Sequence, residues 1–319
     1  MNKLKLLVVV PVYNEEVILN DFFCELQKHI SDNDLFSADI CFVADKCTDN
    51  TEHLIEKLVR EHKHVFATIM SGRFGHQAAL IAGIDASEGY DAIVMMDGDL
   101  QHPPRLLPEL VRKHLEGFDI VYTTRKKNSD DGIIRAFVGT LFYSLISLLS
   151  DTKIVSNAAD FRLISQPVAT VLRTQFPERK LFLRGIFPWL GFNQTAIEYT
   201  ASQRGAGRSK YTLGKMLQLA IAGLIAFSSK PLFLGVVLSF GLFIFGICMA
   251  IWIIFSYLIH NNLPSGWATL VLVQIIFGAM QLFVVGIMSC YVAAVYDEVK
   301  RRPRYIIERT MKNEKHDKS

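Results

Sequence analysis

Charge is absent from one long stretch of this chain: between Pro231 and Tyr296 there is no Asp, Glu, Lys or Arg, although charged residues make up 20% of the 319-residue whole. Two architectures therefore share one polypeptide. Cysteine is sparse. Cys24, Cys41, Cys47, Cys248 and Cys290 include no Cys-x-x-Cys pair, which excludes paired-cysteine metal sites and suits a reduced, cytosolic domain. Gly-x-Gly-x-x-Gly, the P-loop pattern and His-Glu-x-x-His are all missing, which disfavours P-loop nucleotide hydrolysis and zinc proteolysis. The net charge of +3 falls short of the dense basic face that nucleic-acid binding needs, so no nucleic acid is expected as partner. A cleavable leader is not expected either, because the apolar run Leu6–Val10 is short and leads into Pro11, Asn14 and Glu15 without a small-residue cleavage site.

What is present in the first part is an alternation of short β-branched runs with amphipathic stretches. Leu6–Val10, Ile40–Ala44, Val65–Met70, Ala92–Met96 and Ile120–Thr123 read as strands, and the intervals are long enough for helices. Asn14, Thr48 with Asn50, and the Pro103-Pro104 pair mark helix starts. The expected fold is α/β with a parallel sheet, whose ligands bind beyond the carboxyl ends of the strands.

The uncharged region divides at 260–266 into runs of about 29 and about 30 residues, Pro231–Ile259 and Trp267–Tyr296, each long enough to cross a bilayer. Lys210, Lys215 and Lys230 precede the first span, Lys300, Arg301, Arg302 and Arg304 follow the second, and the connecting loop has no Lys or Arg, so both termini are expected in the cytoplasm. Gly235 with Ser239 and Gly278 with Gly286 offer close approach between the spans. Ile133–Leu149 and Leu213–Ser229 are apolar with a cation near their starts and read as interfacial helices, core helices being the alternative. The expected division is a catalytic domain over 1–210, a juxtamembrane helix over 211–230, two spans over 231–298 and a basic cytoplasmic tail over 299–319.

Asp97-Gly98-Asp99 directly follows the Ala92–Met96 strand, where hard oxygen ligands suit Mg²⁺ or Mn²⁺ bridging a nucleotide diphosphate. On spacing alone such a pair is common in surface loops. Its surroundings add more. VVVPVYNEE (Val8–Glu16) resembles the opening of family-2 glycosyltransferases with the GT-A fold, and MDGDLQHPP (Met96–Pro104) resembles their metal-binding segment. DFR (Asp160–Arg162), RGAGRSK (Arg204–Lys210) and KRRPRY (Lys300–Tyr305) resemble the branch that glycosylates polyisoprenyl phosphates, which includes bactoprenol glucosyltransferases and dolichol-phosphate mannose synthases.

The resemblance implies a nucleotide-sugar donor, UDP-glucose first, a polyisoprenyl phosphate acceptor such as undecaprenyl phosphate, a divalent metal, inversion at the sugar, a membrane-lipid setting and a homo-oligomer, a tetramer in the family. Carried over residue by residue, Pro11, Tyr13 and Glu15 line the nucleotide pocket and Asp45 holds the base. Asp97 and Asp99 face ribose, metal and diphosphate, and Gln101 completes the metal site. Arg125, Arg135, Arg204, Ser209 and Lys210 bind phosphate or the acceptor, relieving the repulsion between two phosphorylated substrates. Asp160 takes the family's catalytic position, as base, as orienting group for Arg162 or the acceptor, or as structure alone. A lipid phosphate is already ionised near neutral pH, so the need for a strong base is modest.

One departure stands out. Where the family has Asp-Asp-Gly-Ser, this chain has Ala44-Asp45-Lys46-Cys47, which leaves Lys46 free to meet a donor phosphate or an unusual sugar. A processive polysaccharide synthase would carry Gln-x-x-Arg-Trp and more spans, neither of which is present. A non-catalytic membrane scaffold that binds nucleotide or lipid is the reading from another class, with the altered 44–47 segment as its support.

Overall fold

The computed structural model describes residues 3–31, 33–125, 158–179, 181–200, 230–260 and 266–313. They fall into two compact units, Met1–Thr140 with Thr152–Tyr211 and Arg302–Ser319, and Leu141–Asp151 with Thr212–Arg301. The stretches read as interfacial helices, Ile133–Leu149 and Leu213–Ser229, lie outside the described residues.

The first unit is built on β1 (Leu4–Val12), α1 (Leu19–Ile30), β2 (Phe36–Ala44), α2 (Thr51–Glu61), β3 (Val65–Met70), α3 (His76–Asp85) and β4 (Ala92–Met95). A 3₁₀ turn (Pro104–Leu106), α4 (Leu107–Leu115), β5 (Ile120–Arg125), β6 (Ala158–Ser165), α5 (Gln166–Gln175), α6 (Leu183–Trp189), β7 (Gln194–Tyr199) and β8 (Ile307–Met311) complete it. The eight strands form one sheet in the order β7-β5-β6-β4-β1-β2-β3-β8.

β1 is central and covered on both faces, which is why Leu6–Val10 is an unbroken apolar run and not an alternating one. α1 turns Leu19, Phe22, Phe23, Leu26 and Ile30 to that core at helical spacing, each worth roughly 1.5–3 kcal/mol of burial. α3 packs closest of all. A Cβ at Gly83 would lie 2.1 Å from Cγ1 of Val9, so only glycine lets this helix sit on β1.

All five expected strands form, but the sheet is mixed where a parallel one was expected. β6 runs antiparallel between β4 and β5, and β8 runs antiparallel to β3. The apolar run predicts a strand; nothing in it encodes direction. β8 also corrects the expected tail, because Ile307–Met311 pairs with Ala67–Met70 at the sheet edge. Asn14 is not a helix cap: α1 begins at Leu19, while Asn14 takes φ 55° and exchanges side-chain and backbone hydrogen bonds with Thr48.

In the parallel region the chain passes from β1 outward to β2 and β3, then returns to the other side of β1 as β4. The carboxyl ends of β1 and β4 therefore flank the topological switch point, where ligands bind in such sheets.

The second unit, in its described part, consists of α7 (Lys230–His260) and α8 (Trp267–Val299). Gly235–Ser256 and Thr269–Val299, with mean hydropathy 2.6 and 2.4, are long and apolar enough to cross a membrane. At 1.5 Å per residue either helix exceeds the roughly 30 Å of hydrocarbon. Phe240, Phe243, Leu270 and Leu282 face outward, as lipid-facing residues would. A Cβ at Gly235 would come within 3.2 Å of Val284, so this glycine does bring the helices together. Ser239 instead bonds the Gly235 carbonyl, and Gly278 and Gly286 face open space.

Candidate active site

The loop leaving β4 is folded tightly onto β1. Met96 N–H donates to the Val9 carbonyl, and a Cβ on Gly98 would lie 3.3 Å from Val10, so the glycine between the two aspartates sits tightly against β1 and a side chain there would require Val10 to shift. Asp99 accepts from Gln101 N–H at 3.0 Å, and Leu100 takes φ 60° to close the turn. Asp97 N–H donates to Nδ1 of His102 at 2.9 Å. His102 is buried and stacked on Phe161 at 5.3 Å; burial lowers its pKa and keeps it a neutral acceptor for this bond.

The antiparallel course of β6 delivers the second half of the site. Met95 pairs with Arg162, and continuing that register by two residues brings Asp160 level with Asp97. Asp160 is 8% exposed and is gripped by Arg184 of α6 through two bonds of 2.8 Å, from Nε and Nη2. Arg162, 3% exposed, approaches it at 3.9 Å, donates to the Ala159 carbonyl and lies over the Phe187 ring at 4.4 Å. His76, the first residue of α3, places Nε2 at 3.4 Å from Asp160 and 3.5 Å from Asp97, bridging the two halves.

Electrostatics follow from this crowding. Burial would raise the Asp160 carboxyl, but the hydrogen bonds from His76 and Arg184, with the charges of Arg184 and Arg162, hold it far below the usual carboxylate range. Burial would lower His76, yet Asp160 and Asp97 outweigh it and raise it. Arg162 is pulled down to about 10 by burial, with Asp160 opposing.

At the ends of β5 and β7, paired residues Arg125 and Tyr199 meet, and Arg125 also donates to the Gln101 side-chain oxygen at 2.7 Å. Pro11 is buried in β1 and Tyr13 follows it, with the Arg73 guanidinium 4.1 Å above its ring. Glu15 is fixed through its N–H to Thr51 Oγ1. Asp45, expected against the nucleotide base, is 4% exposed, and its two oxygens accept from Phe74 and Gly75 N–H at 2.6 and 2.9 Å. Those bonds fix the loop that carries Arg73 and leads into His76. Arg135, Arg204, Ser209 and Lys210 lie outside the described residues.

Lys46 has a partner within the fold. Its ammonium pairs with Glu308 of β8 at 2.6 Å, because the sheet brings the C-terminal strand beside this loop. Its φ of 44° is the left-handed conformation that a glycine holds without strain. The pair is about half exposed and so contributes little, while a left-handed lysine costs about 1 kcal/mol. Lys46→Gly is therefore expected to leave stability within about 1 kcal/mol and donor KM within about threefold. A tenfold rise in donor KM, measured by steady-state kinetics, would instead make Lys46 a donor ligand.

Sequence reading missed His76, His102, Arg184, Arg73 and Tyr199. His102 adjoins the Asp97–Gln101 segment, but its inward turn depends on Phe161, far away in sequence. No spacing ties His76 or Arg184 to Asp160.

The residues suit a divalent cation in a limited sense. Among the described residues no three His, Cys, Asp or Glu side chains form a cage. Asp97 and Asp99 nevertheless offer hard oxygen donors on one short loop, which is the usual protein share when substrate phosphates supply the other ligands.

Comparison with known proteins agrees with this geometry. The glycosyl transferase family 2 model matches residues 7–172. The chain is 34% identical over 311 residues to an uncharacterized glycosyltransferase, YkcC, of Bacillus subtilis (strain 168), covering 95% of this chain and 93% of that protein. It is 34% identical over 313 residues to a prophage bactoprenol glucosyl transferase homolog of Escherichia coli (strain K12), covering 97% and 100%. A bactoprenol glucosyl transferase of Shigella phage SfV is 34% identical over 316 residues, covering 98% and 99%. With the mixed α/β sheet and its paired aspartates at the switch point, these matches mean that the chain belongs to glycosyltransferase family 2 and is a glycosyltransferase of the GT-A fold.

Proposed function

We propose that this enzyme transfers a sugar, glucose from UDP-glucose in the first instance, to undecaprenyl phosphate or a similar polyisoprenyl phosphate at the cytoplasmic face of a membrane, with inversion. The observation that carries the reading is the meeting of the Asp97–Asp99 loop with the Arg184–Asp160–His76 cluster at the switch point. Support for the acceptor comes from relatives named bactoprenol glucosyl transferase that match nearly end to end, through both apolar helices. α7 and α8 span the bilayer, with both termini cytoplasmic.

In this mechanism an oxygen of the lipid phosphate attacks the anomeric carbon, the bond to the nucleoside diphosphate breaks, and its electron pair leaves with the diphosphate. Asp97 and Asp99 would hold Mg²⁺ or Mn²⁺, which supplies Lewis-acid charge to that leaving group. Arg125 anchors Gln101 beside the aspartates, and the cations Arg135, Arg204 and Lys210, with Ser209, take the acceptor phosphate. Pro11, Tyr13 and Glu15 line the nucleotide side. Asp160 orients: a carboxylate held so far below its ordinary pKa is a weak proton acceptor, and an ionised phosphate needs none.

Membranes carrying the chain, incubated with labelled nucleotide-sugars and undecaprenyl phosphate, should give solvent-extractable sugar-phosphate-lipid from UDP-glucose only with a divalent cation. Absence of lipid-linked label with every donor of a broad panel, or its formation without added or endogenous polyisoprenyl phosphate, would overturn the assignment.

A further inference from the structure

Tryptophan is usually well buried, yet Trp189, the last residue of α6, is 63% exposed. Its position is nonetheless fixed. Leu183, Ile186 and Phe187 of the same helix are buried, Arg184 is clamped to Asp160, and the Trp189 ring stands edge-on to Phe176 at 5.8 Å. The Glu178 carbonyl, two residues beyond Phe176, accepts from Nε of Arg304 at 2.9 Å. The short segment 176–178 thus carries the aromatic pair at one end and this guanidinium at the other. In the same C-terminal segment Arg302 is exposed and Ile306 is 52% exposed.

An indole presented outward beside arginine is the composition of a membrane–water interface, where the ring's apolar body and polar N–H are both satisfied. Protein interfaces also favour tryptophan and arginine. Lipid is favoured here by the chain itself: Arg304 follows Val299, the last residue of an apolar helix long enough to cross a bilayer, by only five residues.

We propose that the patch of Trp189, Phe176 and Arg304 is a lipid-docking surface, with the indole in the interfacial layer and the arginine against anionic headgroups. The proposal rests on the reading that α7 and α8 span a membrane. It gives α6 two duties, since the helix that meets lipid through Trp189 also carries the Arg184 that holds Asp160.

Trp189, Trp252 and Trp267 are the chain's three tryptophans, so fluorescence can address each role separately. The full chain with W252F and W267F, reconstituted in phosphatidylcholine–phosphatidylglycerol vesicles, reports Trp189 alone. W252Y and W267Y serve instead if the phenylalanine variant does not fold. Bromine-labelled acyl chains should quench at least half of its emission, and iodide should quench it several-fold less than free indole. Strong iodide quenching without bromolipid quenching would place Trp189 in water and overturn the proposal. Shielding from both quenchers would mean that protein, such as a second copy of this chain, covers it, and overturns the proposal equally. The complementary W189F chain tests the spans: loss of bromolipid quenching there, at Trp252 and Trp267, would be a failure of the spanning reading and not of the patch.

Discussion

Exchanging Asp160 for asparagine is expected to reduce turnover by about 10²–10³-fold and stability by about 3 kcal/mol, because the amide leaves the buried Arg162 guanidinium without its countercharge. The orienting role makes a sharper forecast. Arg184→Gln should cost nearly as much activity as Asp160→Asn, and the double variant little more than either, since both break one two-bonded pair. If Arg184→Gln stays within a few-fold of the parent while Asp160→Asn is inactive, Asp160 acts as a base after all. Stability should follow pH accordingly. The folded-state pKa of Asp160 is depressed, so its contribution is fully present above the ordinary carboxylate value of about 3.9 and fades as pH falls below it. The stability gap between parent and Asp160→Asn, from denaturant melts, should narrow in acid as Asp160 protonates, and should also shrink as pH rises through the raised His76 pKa, because the pairing with protonated His76 is then lost.

Asp99 should be nearly as sensitive, for a separable reason. Its carboxylate both shapes the turn, by accepting from Gln101 N–H, and supplies charge. Asn keeps the first function and loses the second. Asp99→Asn should therefore melt close to the parent, yet need a much higher Mg²⁺ or Mn²⁺ concentration for half-maximal rate, with kcat down by about 10²-fold or more. Asp99→Ala should lose the turn as well and fall further. Undiminished transfer by either variant, or full parental activity in excess chelator, would refute the metal assignment.

The loop that carries these aspartates illustrates how local pattern and tertiary packing divide the work. A run such as Ala92–Met96 followed by Asp-Gly-Asp announces a strand end with two carboxylates, because strand propensity and turn chemistry act over a few residues. The length and lack of charge of the two C-terminal runs announced α7 and α8 by the same local logic, since a helix of given length needs no partner to be long and apolar. Motif order along the chain announced the family.

Direction and company in the sheet were not legible. β6 lies antiparallel between β4 and β5, and only that register sets Asp160, 63 positions downstream, level with Asp97. The closing of Arg184 and His76 on Asp160 depends on α6 and α3 arriving from opposite sides of Asp160 in the sequence. β8 was read as tail because five residues with no conspicuous apolar pattern become a strand only when a free sheet edge is offered by β3. Once there, β8 gives Lys46 a carboxylate partner.

By itself the sequence determined the sheet-and-helix class of the first unit, two long apolar helices, the paired aspartates and the family, since each is written in short-range pattern or in motif order. The tertiary structure alone decided which cations hold Asp160, what occupies Asp45 and Lys46, and that Trp189 faces outward. Those outcomes depend on contacts between residues far apart in the chain, whose pairing is set by packing of the whole sheet and its helices and has no signature in any short segment.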